Sequence, residues 1–226
     1  MNRERRDPLT KPKTAMELRN LRKAIDVTMK VFDGMNKPFG RSEAAVAAEI
    51  RTRGRELGAS LAFRPIVASG INSGYVHHKP GRKIVRADEP VIFDIGFRVG
   101  GQCSDVTRMH IPDRKKYKRF YKDTVEMQHH CIDAAKPGRT LKDVQTTWKK
   151  LMRKKGHVVR HCIGHGVGNH VHERIKGPLR PGMVITVEPG IYEKKKGGCR
   201  VEDMVLITRN KPRVLTKSIR FSRPCA

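Results

Sequence analysis

Apolar residues recur at helical spacing near the start of the chain, where Leu18, Leu21, Ile25, Met29 and Phe32 form one stripe. That spacing predicts a helix from about Ala15 to Met35. A second helix is predicted after Gly40-Arg41-Ser42, with Ser42 as N-cap, running to about Leu57 and Gly58. Runs of apolar and β-branched residues then predict strands at Ile66-Val67-Ala68, from Val91 to Ile95, and from Cys103 to His110. The plan recurs further on. A helix from about Arg114 to Ala135 stops at Pro137-Gly138, and Gly138-Arg139-Thr140 opens another that closes at Gly156. Thr140 with Asp143 makes a capping-box start. Gly40 and Gly58 are eighteen residues apart, as are Gly138 and Gly156, with Val46 and Val144 matching between them, a faint internal repeat.

Each half next supplies a histidine, His77 or His172, and then two acids, Asp94 and Asp105 or Glu188 and Glu202. A pseudo-twofold fold would bring the two acid pairs together at its centre. Helices precede strands in each half, so an α+β fold is expected, with antiparallel sheet and helices on one face rather than a parallel wound sheet. The expected organisation is a disordered basic tail over 1–12 and a single domain over 13–226, with pseudo-repeats at about 13–110 and 114–215.

Asp94 and Asp105 stand among apolar β-formers, in Val91-Ile92-Phe93-Asp94-Ile95-Gly96 and Gly101-Gln102-Cys103-Ser104-Asp105-Val106-Thr107-Arg108. An acid there is costly to bury unless a cation or hydrogen bonds take up its charge. Four acids and the imidazole of His165 suit hard or borderline divalent ions such as Mn, Co, Fe or Zn.

The stretches around these residues, in order along the chain, are Asp94-Ile95-Gly96, Cys103 to Arg108, Gly164-His165-Gly166-Val167-Gly168, Val187-Glu188-Pro189-Gly190-Ile191-Tyr192 and Arg200-Val201-Glu202-Asp203. Together they resemble the pita-bread metallopeptidases, the family of methionine aminopeptidases, aminopeptidase P and prolidase, and the resemblance runs from about Lys13 to Leu215. It implies a pita-bread fold: two pseudo-twofold-related halves and a curved antiparallel sheet with helices on its outer face. It also implies two divalent metal ions. Asp94 would chelate one, His165 with Glu188 the other, and Asp105 and Glu202 would bridge them. A metal-bridging hydroxide would then attack the peptide bond. His77 and His172 match the family's two histidines that are not ligands, placed to hold the substrate carbonyl. Glu188 is the group expected to accept the proton from the attacking water.

Three details resemble the Xaa-Pro branch. They are the wording of Val187 to Tyr192, His161 four residues before His165, as a substrate-pocket histidine, and Arg200 two residues before Glu202. There a guanidinium could orient the bridging carboxylate bidentately. The expected function is therefore an exopeptidase acting on Xaa-Pro peptides or dipeptides. Removal of initiator methionine is the alternative, because the length is close to a minimal methionine aminopeptidase. A metal-free hydrolysis of the creatine type is disfavoured by the complete ligand set.

Composition changes this picture in one respect. Lys and Arg number 49 against 22 acids, a net charge of +27 in 226 residues. Such an excess draws a chain towards anions, and contact with RNA or the ribosome is the alternative of another class. The cations are dispersed, and the densest runs, Arg114 to Arg119 and Trp148 to Lys155, fall on expected helices, where such runs form solvated faces. Five cysteines without a CxxC pair read as reduced thiols. With no apolar signal-peptide core in Met1 to Lys13 and no membrane-length segment, a cytoplasmic protein is expected. Oligomeric state is left open.

Overall fold

Thr14 starts the first helix by a reciprocal cap: its hydroxyl accepts from Glu17 N at 3.2 Å, and the Glu17 carboxylate accepts from Thr14 N at 2.7 Å. The computed structural model describes residues 8–35 and 38–217. Helix α1 is Ala15–Gly34 and α2 is Glu43–Glu56, the latter capped by the Ser42 side chain at Ala45 N. In the second half α3 is Lys115–Ala134 and α4 is Leu141–Lys154, which opens on the expected Thr140–Asp143 capping box. The two pairs have the same lengths, 20 and 14 residues. The repeat glimpsed in the glycine spacing is thus a repeat of structure.

The strands repeat as well. In the first half come β1 (Ser60–Leu61), β2 (Ile66–Ser69), β3 (Val91–Ile95), the hairpin β4 (Phe97–Val99) and β5 (Gln102–Cys103), and β6 (Val106–His110). A 3-10 turn over Gly70–Gly74 follows β2. In the second half come β7 (Val184–Val187), the hairpin β8 (Gly190–Glu193) and β9 (Gly197–Arg200), then β10 (Asp203–Leu206) and β11 (Arg213–Val214). β3 pairs antiparallel with β6 as β7 pairs with β10, so each half has the order strand, hairpin, returning strand. All named pairings are antiparallel, in the groups β2-β3-β6, β11-β10-β7, β1-β4-β5 and β8-β9. Glu202 N donates to Thr107 O at 3.2 Å and joins the two halves across the middle.

Both faces of β3 are buried. Val91, Phe93 and Ile95 enter a core shared with Leu21 and Val31 of α1 and with Val46 and Ile50 of α2. Ile92 faces the other way, into a core with Met127 and Cys131 of α3 and Trp148 and Met152 of α4. Strand pleat therefore puts Asp94 on the face of Ile92, away from α1 and α2.

Two expectations are corrected. The single strand from Cys103 to His110 is broken at Ser104 and Asp105, because the Ser104 hydroxyl turns inward to Phe97 N at 2.9 Å and Thr28 at 2.7 Å. The disordered tail expected over 1–12 lies outside the described residues as far as 7, and beyond that it is bonded to the body. Thr10 N donates to Arg174 O at 2.9 Å, Arg174 N donates to Pro8 O at 2.8 Å, and Thr10 is buried. No described helix is long and apolar enough to cross a membrane. The four described cysteines, 103, 131, 162 and 199, are free.

Candidate functional site

The acids sit at or beside the ends of strands. Asp94 is the fourth residue of β3, and Asp105 stands immediately before β6. Their counterparts repeat the arrangement, with Glu188 immediately after β7 and Glu202 immediately before β10. The β3–β6 and β7–β10 pairings bring the four carboxylates to one place, and a cavity of about 850 Å³ opens over them. His77, Asp94, Asp105, His161, His165, His172, Glu188, Arg200 and Glu202, every residue singled out in the sequence, line that cavity.

Donor atoms of Asp105, His165 and Glu202 all lie within 4.8 Å of one another. His165 Nε2 is 3.6 Å from Asp105 Oδ2 and 3.5 Å from Glu188 Oε1. Its Nδ1 is 3.0 Å from the carbonyl of Gly166. A carbonyl can only accept, so Nδ1 carries a proton, and Nε2 faces the acids. Gly164 sets the ring's approach: a Cβ there would stand 2.1 Å from Thr186 O, and the Thr186 hydroxyl accepts from His165 N at 3.1 Å.

The electrostatics are those of a site short of positive charge. Burial pushes the Asp105 carboxyl well above its ordinary range, and the neighbouring Glu202, Asp94 and Glu188 push it further. Glu202 is likewise raised well above its ordinary range by burial, then by Glu188 and Asp94. Glu188 is pushed up to about 8, chiefly by burial, although Arg200 acts in the opposite direction. Asp94 is raised by burial, while Arg200 holds part of its charge. One Asp94 oxygen, Oδ2, accepts from Arg200 Nη2 at 2.6 Å, whereas Oδ1 is buried with no hydrogen-bond partner. Acidic oxygens this close, one of them orphaned, with an imidazole nitrogen turned towards them, fit hard or borderline divalent cations.

Arg200 corrects an expectation. It bonds Asp94 rather than Glu202, and through one nitrogen rather than two. Its reach to Glu202 is indirect: Arg200 Nε donates to the Thr107 hydroxyl at 3.0 Å, and that hydroxyl donates to Glu202 Oε2 at 2.9 Å. Arg200 Nη1 also holds Tyr192 OH at 2.9 Å and Val76 O at 3.0 Å. Thr107 and Tyr192 lay inside motifs noted in the sequence, but partners so far away along the chain gave no local signal of their roles.

His161 is the most enclosed of the four cavity histidines. Burial, then the Arg200 charge, lowers its pKa to about 3, so it is neutral near pH 7. Its ring lies 5.0 Å from that of Trp148 and 5.3 Å from that of Tyr192, and Nδ1 is 3.9 Å from Glu188 Oε2. Nε2 is buried without a partner. His172 is exposed at the rim, its ring centroid 4.3 Å from that of His165. His77 is also exposed, on the segment after the 3-10 turn.

The chain is 35% identical over 221 residues to a protein of Pyrococcus furiosus described as an Xaa-Pro dipeptidase, a match covering 92% of this chain and 64% of that one. Among solved structures it resembles the prolidase from Pyrococcus furiosus, with a TM-score of 0.86 and 33% identity over 92% of this chain and 66% of that one. It also resembles the X-Pro aminopeptidase from Thermotoga maritima, with a TM-score of 0.88 and 30% identity over 94% of this chain and 63% of that one. The chain thus spans a little under two thirds of these relatives, and with them it shares the pita-bread fold. Residues 19–209 match the sequence profile of metallopeptidase family M24, and the chain belongs to that family.

Proposed function

We propose that the protein is a dinuclear-metal exopeptidase that cleaves the N-terminal peptide bond of Xaa-Pro dipeptides or peptides. The observation that carries the reading is the buried knot of Asp105, His165 and Glu202, with Asp94 and Glu188 on the same cavity wall. Its family and its similarity to proteins described as Xaa-Pro dipeptidase and X-Pro aminopeptidase support the substrate class. Asp94, Asp105, His165, Glu188 and Glu202 would hold the two ions, Mn, Co, Fe or Zn. When bound, such ions supply Lewis-acid polarisation of the scissile carbonyl and acidify a water.

The chain's own groups do the rest. Glu188, a carboxylate on the cavity wall 3.5 Å from His165, is suited to take a proton from the attacking water and pass it to the departing amine. His172 and His77, exposed at the mouth, are placed to hold the carbonyl oxygen as negative charge gathers on it. His161, neutral and walled by Trp148 and Tyr192, offers an apolar ring face and one buried nitrogen to the substrate. Arg200 fixes Asp94 directly and Glu202 through Thr107.

The test is hydrolysis of Xaa-Pro and Met-Ala peptides by metal-stripped protein resupplied with Mn or Co, with Asp94→Ala as control. Metal-dependent Xaa-Pro cleavage that disappears in the control is expected. Cleavage of Met-Ala peptides instead would place the protein with initiator-methionine removal, and turnover on neither would overturn the reading.

A second reading concerns polyanions such as RNA. In the run that opens α3, Arg114, Lys116, Lys118 and Arg119 face Asp88, Glu193, Asp113 and Asp123, so that run is largely neutralised. The solvent face of α4 is different. Lys149, Lys150, Arg153 and Lys154 are exposed and form no ion pair among the described residues. Like charges at such spacing repel one another, and a phosphate backbone would relieve them. RNA affinity falling steeply with salt, and lost when these four are changed to Glu, would support this; no measurable binding near physiological salt would remove it.

A further inference from the structure

His172 stands at the cavity mouth with no hydrogen bond of its own among the described residues. Its side chain is exposed, and its ring meets that of His165. Its position therefore depends on its backbone. The next residue supplies the anchor. Glu173 is buried, and its Oε2 accepts from the Thr10 hydroxyl at 2.8 Å and from Lys13 Nζ at 2.9 Å, while Oε1 accepts from His170 N at 3.4 Å. The Lys13 and Glu173 side chains are 5% and 6% exposed, so this is an interior ion pair, unlike the screened pairs of the surface.

The backbone closes around the same residue. Glu173 N donates to Gly166 O at 2.8 Å, and Gly166 N donates to Glu173 O at 2.9 Å, which fastens the rim segment to the residue following His165. On its other side, residues 8–10 run parallel to Arg174, and Lys13 N donates to Gly182 O at 2.8 Å. There is no slack between the layers: a Cβ on Gly166 would stand 1.7 Å from Thr10 Oγ1, and one on Gly168 2.2 Å from Lys13 Nζ. The N-terminal segment thus forms an outer wall of the site and holds the residue next to His172 from behind.

We propose that Thr10 and Lys13 are positioning residues for His172, acting through the Glu173 carboxylate to fix where the imidazole stands beside His165. This rests on the reading in which His172 meets the substrate, and the experiment keeps the two separable. Thr10→Val removes one bond to Glu173 with almost no change of shape. Lys13→Met removes the cation but leaves a buried acid unpaired, so Thr10→Val carries the test if Lys13→Met fails to fold.

In the whole chain loaded with Mn, Thr10→Val should lower kcat by roughly tenfold with little change in KM, since a small misplacement of a group near the reacting atoms is costly. In a His172→Ala background it should cost nothing further, because coupled residues are not additive. Mn affinity should be unchanged. Independently of turnover, in metal-free protein labelled with 15N-histidine the His172 ring resonances should shift or broaden in Thr10→Val, while those of His77 stay in place. An equal loss in the His172→Ala background, or an unmoved His172 resonance, would overturn the proposal. A wild-type protein without peptidase activity would overturn the functional reading instead, and the ring resonances would still decide this one.

Discussion

Arg200 Nη2 lies 2.6 Å from Asp94 Oδ2, across 106 residues of chain, with both side chains almost wholly enclosed. Removing the guanidinium would leave a buried carboxylate without compensation. Arg200→Met should destabilise the protein by about 3–5 kcal/mol, the range for breaking one side of a buried pair. It should also weaken divalent-metal binding roughly 10–100-fold by freeing Asp94 to turn. Thermal melts with and without Mn measure both, and a variant as stable as the wild type would refute the first.

Metal uptake should release protons. Asp105 and Glu202 are raised well above the ordinary carboxylate range and Glu188 is raised to about 8, so near neutral pH the metal-free site carries protons that a cation must displace. Affinity for Mn should therefore rise as pH rises towards 8. Calorimetric titrations in buffers of different ionisation enthalpy would report the released protons as a buffer-dependent heat, and a buffer-independent heat would count against the prediction.

Glu43 gives a pH dependence of the opposite origin. It is fully buried at the start of α2, where burial alone would raise its pKa. Hydrogen bonds from Ser69 N, Asn72, His78 and the Ser69 hydroxyl outweigh that, and the folded pKa lies below the ordinary 4.5. A depressed folded pKa contributes stability that is present above the unfolded value and lost as pH falls through the folded one. Denaturant midpoints should thus drop on acidification below about pH 4.5, and Glu43→Gln should flatten part of that drop while costing about 1–3 kcal/mol near neutrality.

Gly54 is a helix-interior glycine that α2 cannot exchange for alanine. A Cβ there would stand 1.9 Å from the ring of Phe97, which is fully buried. Helix propensity favours alanine by about 1 kcal/mol. Overpacking by a methyl group in a filled core costs about 1–3 kcal/mol. The expected net effect of Gly54→Ala is destabilisation, visible as a lower urea midpoint at unchanged slope. A gain in midpoint would show that Phe97 can move aside.

The helices were legible because their signals are local: Ser42 and Thr140 each cap from within three residues, and the apolar stripe of α1 has one period. The settings of Asp94 and Asp105 among apolar β-formers were local signals too, whereas Glu188 and Glu202 stood out through the motifs around them, Val187 to Tyr192 and Arg200 to Asp203. What escaped depends on contacts between distant parts. The break of the strand at Ser104 is set by Thr28, 76 residues away, and the ordering of Thr10 by Glu173, 163 residues away. The partner of Arg200 was misassigned because closeness along the chain pointed to Glu202, while β9 instead aims the guanidinium at β3.

Asp94 and Asp105 come from one half of the repeat, and His165, Glu188 and Glu202 from the other. Any cation held by all of them is a rivet through the seam, and its binding free energy is added to the adhesion of the halves. Chelation would then do more than switch off chemistry. It would leave a cluster of buried acids that can share the joint only by taking up protons, so heat tolerance and metal content should rise and fall together in this protein.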